Sequence, residues 1–372
     1  SAARLTYDQV HNAQQGHFDT ATKPLWDKTL QPLFELFAIL NEAKKTRGAI
    51  DLDVPEPVVL LDPEGNIKTA HARERFDSHR LIEELMILAN VAAATALETK
   101  GALGLYRIHP EPDNVKLDRL TATLAGVGIK LKKPGVLKPQ FFQKLAQKVR
   151  STDAGPTLMQ ALLQSQQQAK YAHENIGHFG LALGRYSHFT SPIRRYADLI
   201  VHRSLIKTLK LPGRGALKIS GNRLEGLSDH LNGAERRSQK AEWEARDRLI
   251  VRYHENHIGD AFDATVISVQ QFGVFVLLAD GISEGLLPLR LMYDDRYHFK
   301  PKESVLVGGR SKKIIRIGTK LKVKLVSADP LAGRLTFELP RSARKNSDKK
   351  YAKSRKAGQS SRKPVARKDK RR

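Results

Sequence analysis

The chain has 372 residues, 64 Lys and Arg against 39 Asp and Glu, a formal net charge of +25, and no cysteine. That length accommodates two or three domains with real cores, and such a cationic excess points to an anionic partner: nucleic acid, ribosome or an acidic membrane surface. The lack of cysteine excludes a disulfide framework, thiolate metal sites and thiol catalysis and fits a reducing cytoplasm, while no apolar run approaches the roughly 18 residues needed to span a bilayer.

Apolar residues at helical spacing from Trp26 to Leu40, closed by Thr46-Arg47-Gly48, predict a helix over 23–45. "PVVLLDPEGNIKTAHAR" holds two extended runs around Asp62-Pro63-Glu64-Gly65 and reads as a hairpin. A long, largely buried helix is expected from a cap at Asp77 or Ser78 to Gly101, followed by a buried strand in "GLYRIH" that stops at Pro110. Further helices are predicted near 113–126, 138–150, 156–172, 192–209 and 224–254, so residues 1–255 form an α-rich part with few strands and no internal repeat. Short β-rich runs separated by Gly and Asp turns then predict a small all-β domain over 256–340. Residues 341–372 carry 15 Lys and Arg against two Asp and few apolar side chains, the composition of a tail that is disordered when unbound. The expected fold class is α+β.

The segment 178–205, "HFGLALGRYSHFTSPIRRYADLIVHRSL", breaks a local rule. Ser191 suits an N-cap and Pro192 the first helical position, so a helix is expected to start there. Its first turn then places Arg194 and Arg195 beside free backbone N–H groups, where arginine is unfavourable unless an anion is bound. Arg194, Asp198 and His202 are spaced by four and would share a face, with Asp198 orienting Arg194. A fixed guanidinium fork suits a phosphodiester and its transition-state charge. The same spacing also suits an ordinary ion-pair ladder on a surface helix.

The order His178-Phe179-Gly180-Leu181, Tyr186-Ser187, Phe189-Thr190-Ser191-Pro192-Ile193-Arg194-Arg195-Tyr196, Asp198 and His202 closely resembles the signature of the RNB family, hydrolytic exoribonucleases of the ribonuclease II and ribonuclease R type. "RLTYDQV", "RGAIDLD", "RLIEELMILAN", "LYRIH" and "AERRS" extend the resemblance to essentially the whole chain. It implies processive 3′-to-5′ removal of nucleotides from single-stranded and structured RNA, with Mg²⁺ held by clustered aspartates. No such cluster is found here. Asp51 and Asp53, separated by Leu52, are the nearest candidates and also suit a solvated turn. The chain is therefore expected to be the C-terminal part of such an enzyme, with the metal-binding aspartates upstream of Ser1, and to be inactive alone.

By the same resemblance, Arg194 matches an arginine that contacts the scissile phosphate, Tyr7 an aromatic near the terminal nucleotide, and Glu83 a carboxylate on the terminal ribose. Arg195 and His202 join these as candidate RNA contacts. At Leu52 some members have a stacking aromatic, for which leucine supplies apolar contact only. Residues 256–340 resemble an S1-type OB barrel, in which Phe272, Phe275, Tyr297 and His298 are the candidate RNA platform and Gly273 allows a tight strand bend. Pro288-Leu289-Arg290 replaces a more usual His-hydrophobic-Ser segment. The tail adds sequence-independent affinity for phosphates, or serves solubility, and in relatives aids work on structured RNA and at the ribosome. Two other readings stay open: a non-catalytic RNA-binding protein, and a factor recruited through its tail to the ribosome or RNA-decay machinery. No membrane partner is expected, and the compartment is expected to be the cytoplasm.

Overall fold

Residues 1–51, 57–63, 67–72, 74–132, 135–152, 154–212, 215–301 and 303–340 are described by a computed structural model. Leu52, Asp53, the centre of the predicted hairpin turn and the tail 341–372 lie outside the described residues.

Thr6 opens α1 (Tyr7–Gln14) through a reciprocal cap, its hydroxyl accepting from Gln9 N–H and its own N–H donating to Gln9 Oε1 at 2.8 Å. The helix expected over 23–45 is present in three pieces: a 3₁₀ turn at Lys23–Leu25, one π turn at Trp26–Leu30, and α2 (Gln31–Arg47). Pro24 and Pro32 remove backbone donors in this stretch, which suits a changing helical pitch. Gly48, at φ +80°, closes α2 in the left-handed conformation that glycine reaches without steric cost. Strands β1 (Pro57–Leu61) and β2 (Ile67–Ala72) form the expected antiparallel pair.

The long helix α3 (Asp77–Thr99) buries Leu81, Glu84, Ile87, Asn90, Ala94 and Leu97 along one face. Glu84 is 4% exposed and lies 3.1 Å from Lys44 and 3.6 Å from Arg47, so the carboxylate ties α3 to α2. Strand β3 (Tyr106–Ile108) is followed by α4 (Asn114–Gly126), α5 (Pro139–Arg150) and α6 (Gly155–Gln164), whose apolar faces share one core around Leu124, Phe142, Leu158 and Leu162.

The helix predicted over 156–172 ends at Gln164, and Lys170–Ala172 is strand β4, antiparallel to β3. The polar run Ser165 to Gln168 carries no apolar face to bury, and Asn232 brackets Tyr171 by accepting from its N–H at 2.7 Å and donating to its carbonyl at 2.9 Å. Asn232 belongs to α8 (Gly221–Tyr253), which follows α7 (Tyr196–Thr208).

The β-rich region forms a closed barrel from β5 (Ala261–Gln270), β6 (Gly273–Leu278), β7 (Glu284–Pro288), β11 (Lys320–Asp329) and β12 (Arg334–Glu338), in the order β11-β12-β7-β6-β5. Antiparallel pairing of β11 with β5 completes closure, and β12 meets β7 in parallel. Alternate residues fill the interior, among them Val274, Val276, Val323, Leu325 and Phe337. Gly285 lets β7 approach β12, since a Cβ there would sit 2.6 Å from Leu335 O. A second sheet, β8 (Tyr297–Lys300), β9 (Val305–Gly308) and β10 (Ile314–Ile315), stands beside the barrel.

Helical part and barrel are in direct contact. Ile317 packs against both the barrel core and the α4–α6 core. Two glycines allow this closeness: a Cβ on Gly126 would lie 2.7 Å from Glu303 O, and one on Gly318 would lie 2.5 Å from Ala154 Cβ.

Candidate nucleic-acid interface

The segment that carries the two arginines is built backbone first. His178 and Leu183 exchange hydrogen bonds across a tight loop, at 2.7 and 3.2 Å, and Phe179 N–H donates to His109 O at 2.9 Å. Gly180 N–H donates to His109 Nδ1 at 2.7 Å while Nε2 of the same ring lies 2.7 Å from Gln167 O. Those partners assign a neutral ring with the proton on Nε2. Beyond this loop, Tyr186 O accepts from Arg107 N–H at 2.9 Å, and Asn90 accepts from Phe189 N–H at 2.9 Å. Phe189 O is held by His202 Nε2 at 2.7 Å, with the two rings stacked at 4.2 Å.

The arginines themselves differ from expectation. Helix α7 starts at Tyr196 with Arg195 as its cap residue, and residues 192–194 form a turn in which the N–H groups of Arg194 and Arg195 donate to Ser191 O. Asp198, fully buried in the first turn of α7, accepts from Ser191 N–H at 2.8 Å and from Arg195 Nη2 at 2.7 Å. Its partner is thus Arg195 and not Arg194, because Arg194 precedes the helix and the spacing by four has no helical geometry to act through. Arg194 is exposed and has no ion-pair partner among the described residues. Ile193 beside it is 97% exposed.

Under this turn lies a layer of rings. Tyr171 Oη and His188 Nδ1 are 2.9 Å apart, Arg107 stands 4.6 Å over the Tyr171 ring, and Arg107 makes two hydrogen bonds to Glu235 of α8, at 2.7 and 2.9 Å. Burial pushes Tyr171 up to about 12 and raises Tyr186 as well. Burial, then the neighbouring Arg195 and Arg107 charges, drives His188 down to about 2; burial, then His109 and Arg107, drives His178 down to about 3. Both rings are therefore neutral when folded, whereas in the unfolded chain they titrate near about 6.5. Between those values the unfolded chain binds protons that the folded chain does not, so this contribution to stability is complete above pH ~6.5 and is lost progressively below it. Urea midpoints measured from pH 7.5 to 5 are expected to fall, with an uptake on unfolding approaching one proton for each ring; a flat profile would contradict the assignment.

The other sequence candidates fall in two places. Tyr7 is 44% exposed and stacks on His79 at 4.1 Å, one turn before Glu83 on the same face of α3. Glu83 is ion-paired to Arg75. Asn90 follows on that face about 10 Å further along the axis, so α3 leads from Tyr7 to the arginine segment. Arg195 Nη2 and His202 Nε2 are engaged in holding that segment, on Asp198 and on Phe189 O. On the barrel, Phe272 is 56% exposed and meets the partly buried Phe275 edge to face at 6.2 Å. Phe272 lines an open groove of about 430 Å³ with Leu286, Pro288, Leu289, Arg290 and Thr336. His298 is exposed, but Tyr297 is not: it is 8% exposed, belongs to the barrel core and donates its hydroxyl to Asp294 at 2.9 Å. Strand alternation turns Tyr297 and Phe299 inward and His298 and Lys300 outward, so Tyr297 offers no ring face for stacking. Sequence reasoning did not single out Asn90, Arg107, Tyr171 or His188. Only Asn90 had a local signal, a polar residue inside the apolar run "MILANVAAATAL".

No group of three or more His, Asp or Glu side chains among the described residues is placed to hold a metal ion. The carboxylates nearest the arginine segment are already engaged, Asp198 by Arg195, Glu83 by Arg75 and Glu84 by Lys44 and Arg47. This donor set does not fit Mg²⁺.

A helical part presenting a pinned arginine turn, joined to a five-stranded barrel, has counterparts among known proteins. The family model described as RNB domain matches residues 1–211, and that described as S1 RNA binding domain matches residues 255–338. The chain belongs to the RNB family. Ribonuclease R of Aquifex aeolicus is 38% identical over 342 residues, covering 91% of this chain and 48% of that protein. The apo form of Mycoplasma genitalium RNase R has a TM-score of 0.80 at 26% identity, over 91% of this chain and 53% of that one. Its complex with ribose methylated single-stranded RNA matches equally well. The chain spans about half the length of the curated relatives it matches. The α+β class and the family resemblance read from the sequence are both borne out.

Proposed function

We propose that this chain is the RNA-holding part of a 3′-to-5′ hydrolytic exoribonuclease of the ribonuclease R type. The observation that carries the reading is Arg194, an exposed guanidinium without a protein partner among the described residues, at the end of a turn whose backbone is fixed at Phe189 and Ser191. A free guanidinium projecting from a held backbone at a helix start suits a phosphodiester. Tyr7, stacked on α3, and Glu83 of α3 are offered to a terminal nucleoside, and Phe272, Phe275, Arg290 and His298 offer the barrel's stacking and phosphate contacts. Residues 1–255, 256–340 and 341–372 act in this reading as site, RNA platform and basic tail. Mg²⁺ would be held by carboxylates outside the described residues.

A second reading, RNA binding without cleavage, is favoured by the lack of a fitting metal donor set among the described residues. Degradation of a 5′-labelled, 3′-tailed RNA with Mg²⁺ and with EDTA, beside binding titrations at two salt concentrations, tests cleavage and binding by the chain separately. Magnesium-dependent shortening means the chain cuts unaided. Salt-sensitive binding without shortening leaves it as the holding part, and no salt-sensitive binding overturns both readings.

A further inference from the structure

We propose that Asn90 is a positioning residue for RNA phosphate, acting through the segment that carries Arg194; the inference rests on the RNA-holding role proposed above. Asn90 lies in the middle of α3, is 2% exposed, and stands in an apolar run where leucine would pack without any polar atom to satisfy. Both ends of its amide are used. Phe189 N–H is a donor only, so the atom facing it at 2.9 Å is the amide oxygen, which leaves the amide nitrogen to donate to Tyr186 Oη at 3.1 Å. One side chain thus spans residues 186 and 189 of the segment from the α3 side.

The opposite side is gripped by α7. His202 holds Phe189 O, and Asp198 holds Ser191 N–H. Phe189 is therefore clamped between two helices, by N–H to one and by C=O to the other. The turn with Arg194 begins three residues later. Tyr186 is pinned in turn, since its carbonyl accepts from Arg107 N–H. Without the Asn90 amide, Phe189 N–H would be buried beside an apolar side chain and unpaired, and the segment would have to shift to reach another acceptor. A shift at Phe189 moves the backbone from which the Arg194 guanidinium projects, and with it the volume in which the fork can meet a phosphate.

The test uses the whole chain and a labelled single-stranded RNA, with affinity measured across a salt series for the wild type, Asn90→Leu, Arg194→Ala and the double variant. Arg194→Ala is expected to reduce the log-log salt slope by about 0.7, the share of one phosphate contact on a single strand. Asn90→Leu is expected to reduce it by part of that amount at an unchanged circular dichroism spectrum, and the double variant to be no worse than Arg194→Ala. Asn90→Asp, which keeps an acceptor for Phe189 N–H, should retain the wild-type slope. If leucine does not fold, Asn90→Ser, too short to span both partners, replaces it in the cycle. A full slope in the Asn90 variant, or losses that add to those of Arg194→Ala, overturns the positioning role. No change in Arg194→Ala itself overturns the RNA-holding reading instead, and the inference falls with it.

Discussion

Asp198→Ala is expected to lower the stability of the helical part by about 3 kcal/mol, and its melting temperature by roughly 10 °C, because the substitution removes one member of a buried ion pair and leaves the other. Asp198 is fully buried, while the Arg195 side chain is 21% exposed. Arginine cannot shed its charge, so the deserted guanidinium must be resolvated or stay unpaired. The same deletion strips Ser191 N–H of its acceptor. Asp198→Asn keeps an oxygen for Ser191 N–H and should lose less than alanine does. Thermal denaturation followed by circular dichroism measures both. A loss for alanine below about 1 kcal/mol would mean that the pair is already open to water and that Asp198 does not organise the segment.

Arg194→Lys, in an RNB enzyme that carries this chain, is expected to reduce single-turnover cleavage about a hundredfold while RNA affinity changes only a few-fold. Lysine keeps the charge that attracts the strand, yet presents a point donor in place of the planar fork. Loss of one aligned donor to a developing oxyanion typically costs about two to three powers of ten in rate. Parallel measurement of binding and of single-turnover rate distinguishes the roles. Equal losses in both would assign Arg194 to holding RNA alone.

Much of this architecture could be read from residue patterns, and the failures have physical causes. Long helices such as α3 and α8 declared themselves because apolar spacing persists over many turns. Strand β4 did not, since three residues carry no periodicity and its stability comes from β3 and from Asn232, more than 60 residues away in sequence. The start of α7 was misplaced because Ser-Pro is a good local opening, while the group that decides, Asp198, reaches back from inside the helix to Ser191 N–H. In "YHFK" the aromatics alternate with His and Lys, so the inward pair was legible, and Tyr297 was misplaced by reading its ring as a stacking surface instead of as core. Arg194 was legible as an arginine in a helix-opening context, and its freedom from Asp198 was not. Asn90 showed only that something polar was needed on α3. Its partners, Tyr186 and Phe189, are brought to it by the tertiary fold.

The contact at Gly126, Gly318 and Ile317 bears on how a strand would reach the arginine turn. With backbone of one part against backbone of the other, the barrel is a fixed neighbour of the helices and does not swing on a tether. In the RNA-holding reading, a strand that rests on Phe272 and also engages the arginine turn makes its second engagement an intramolecular event, with an effective concentration set by the fixed spacing of the two parts. Two modest sites arranged in this way bind as one strong site whenever a single strand is long enough to span them, and a shorter oligonucleotide forfeits the gain. In that reading, length discrimination among RNAs would come from the fixed spacing of barrel and helices, with no residue reading length at all.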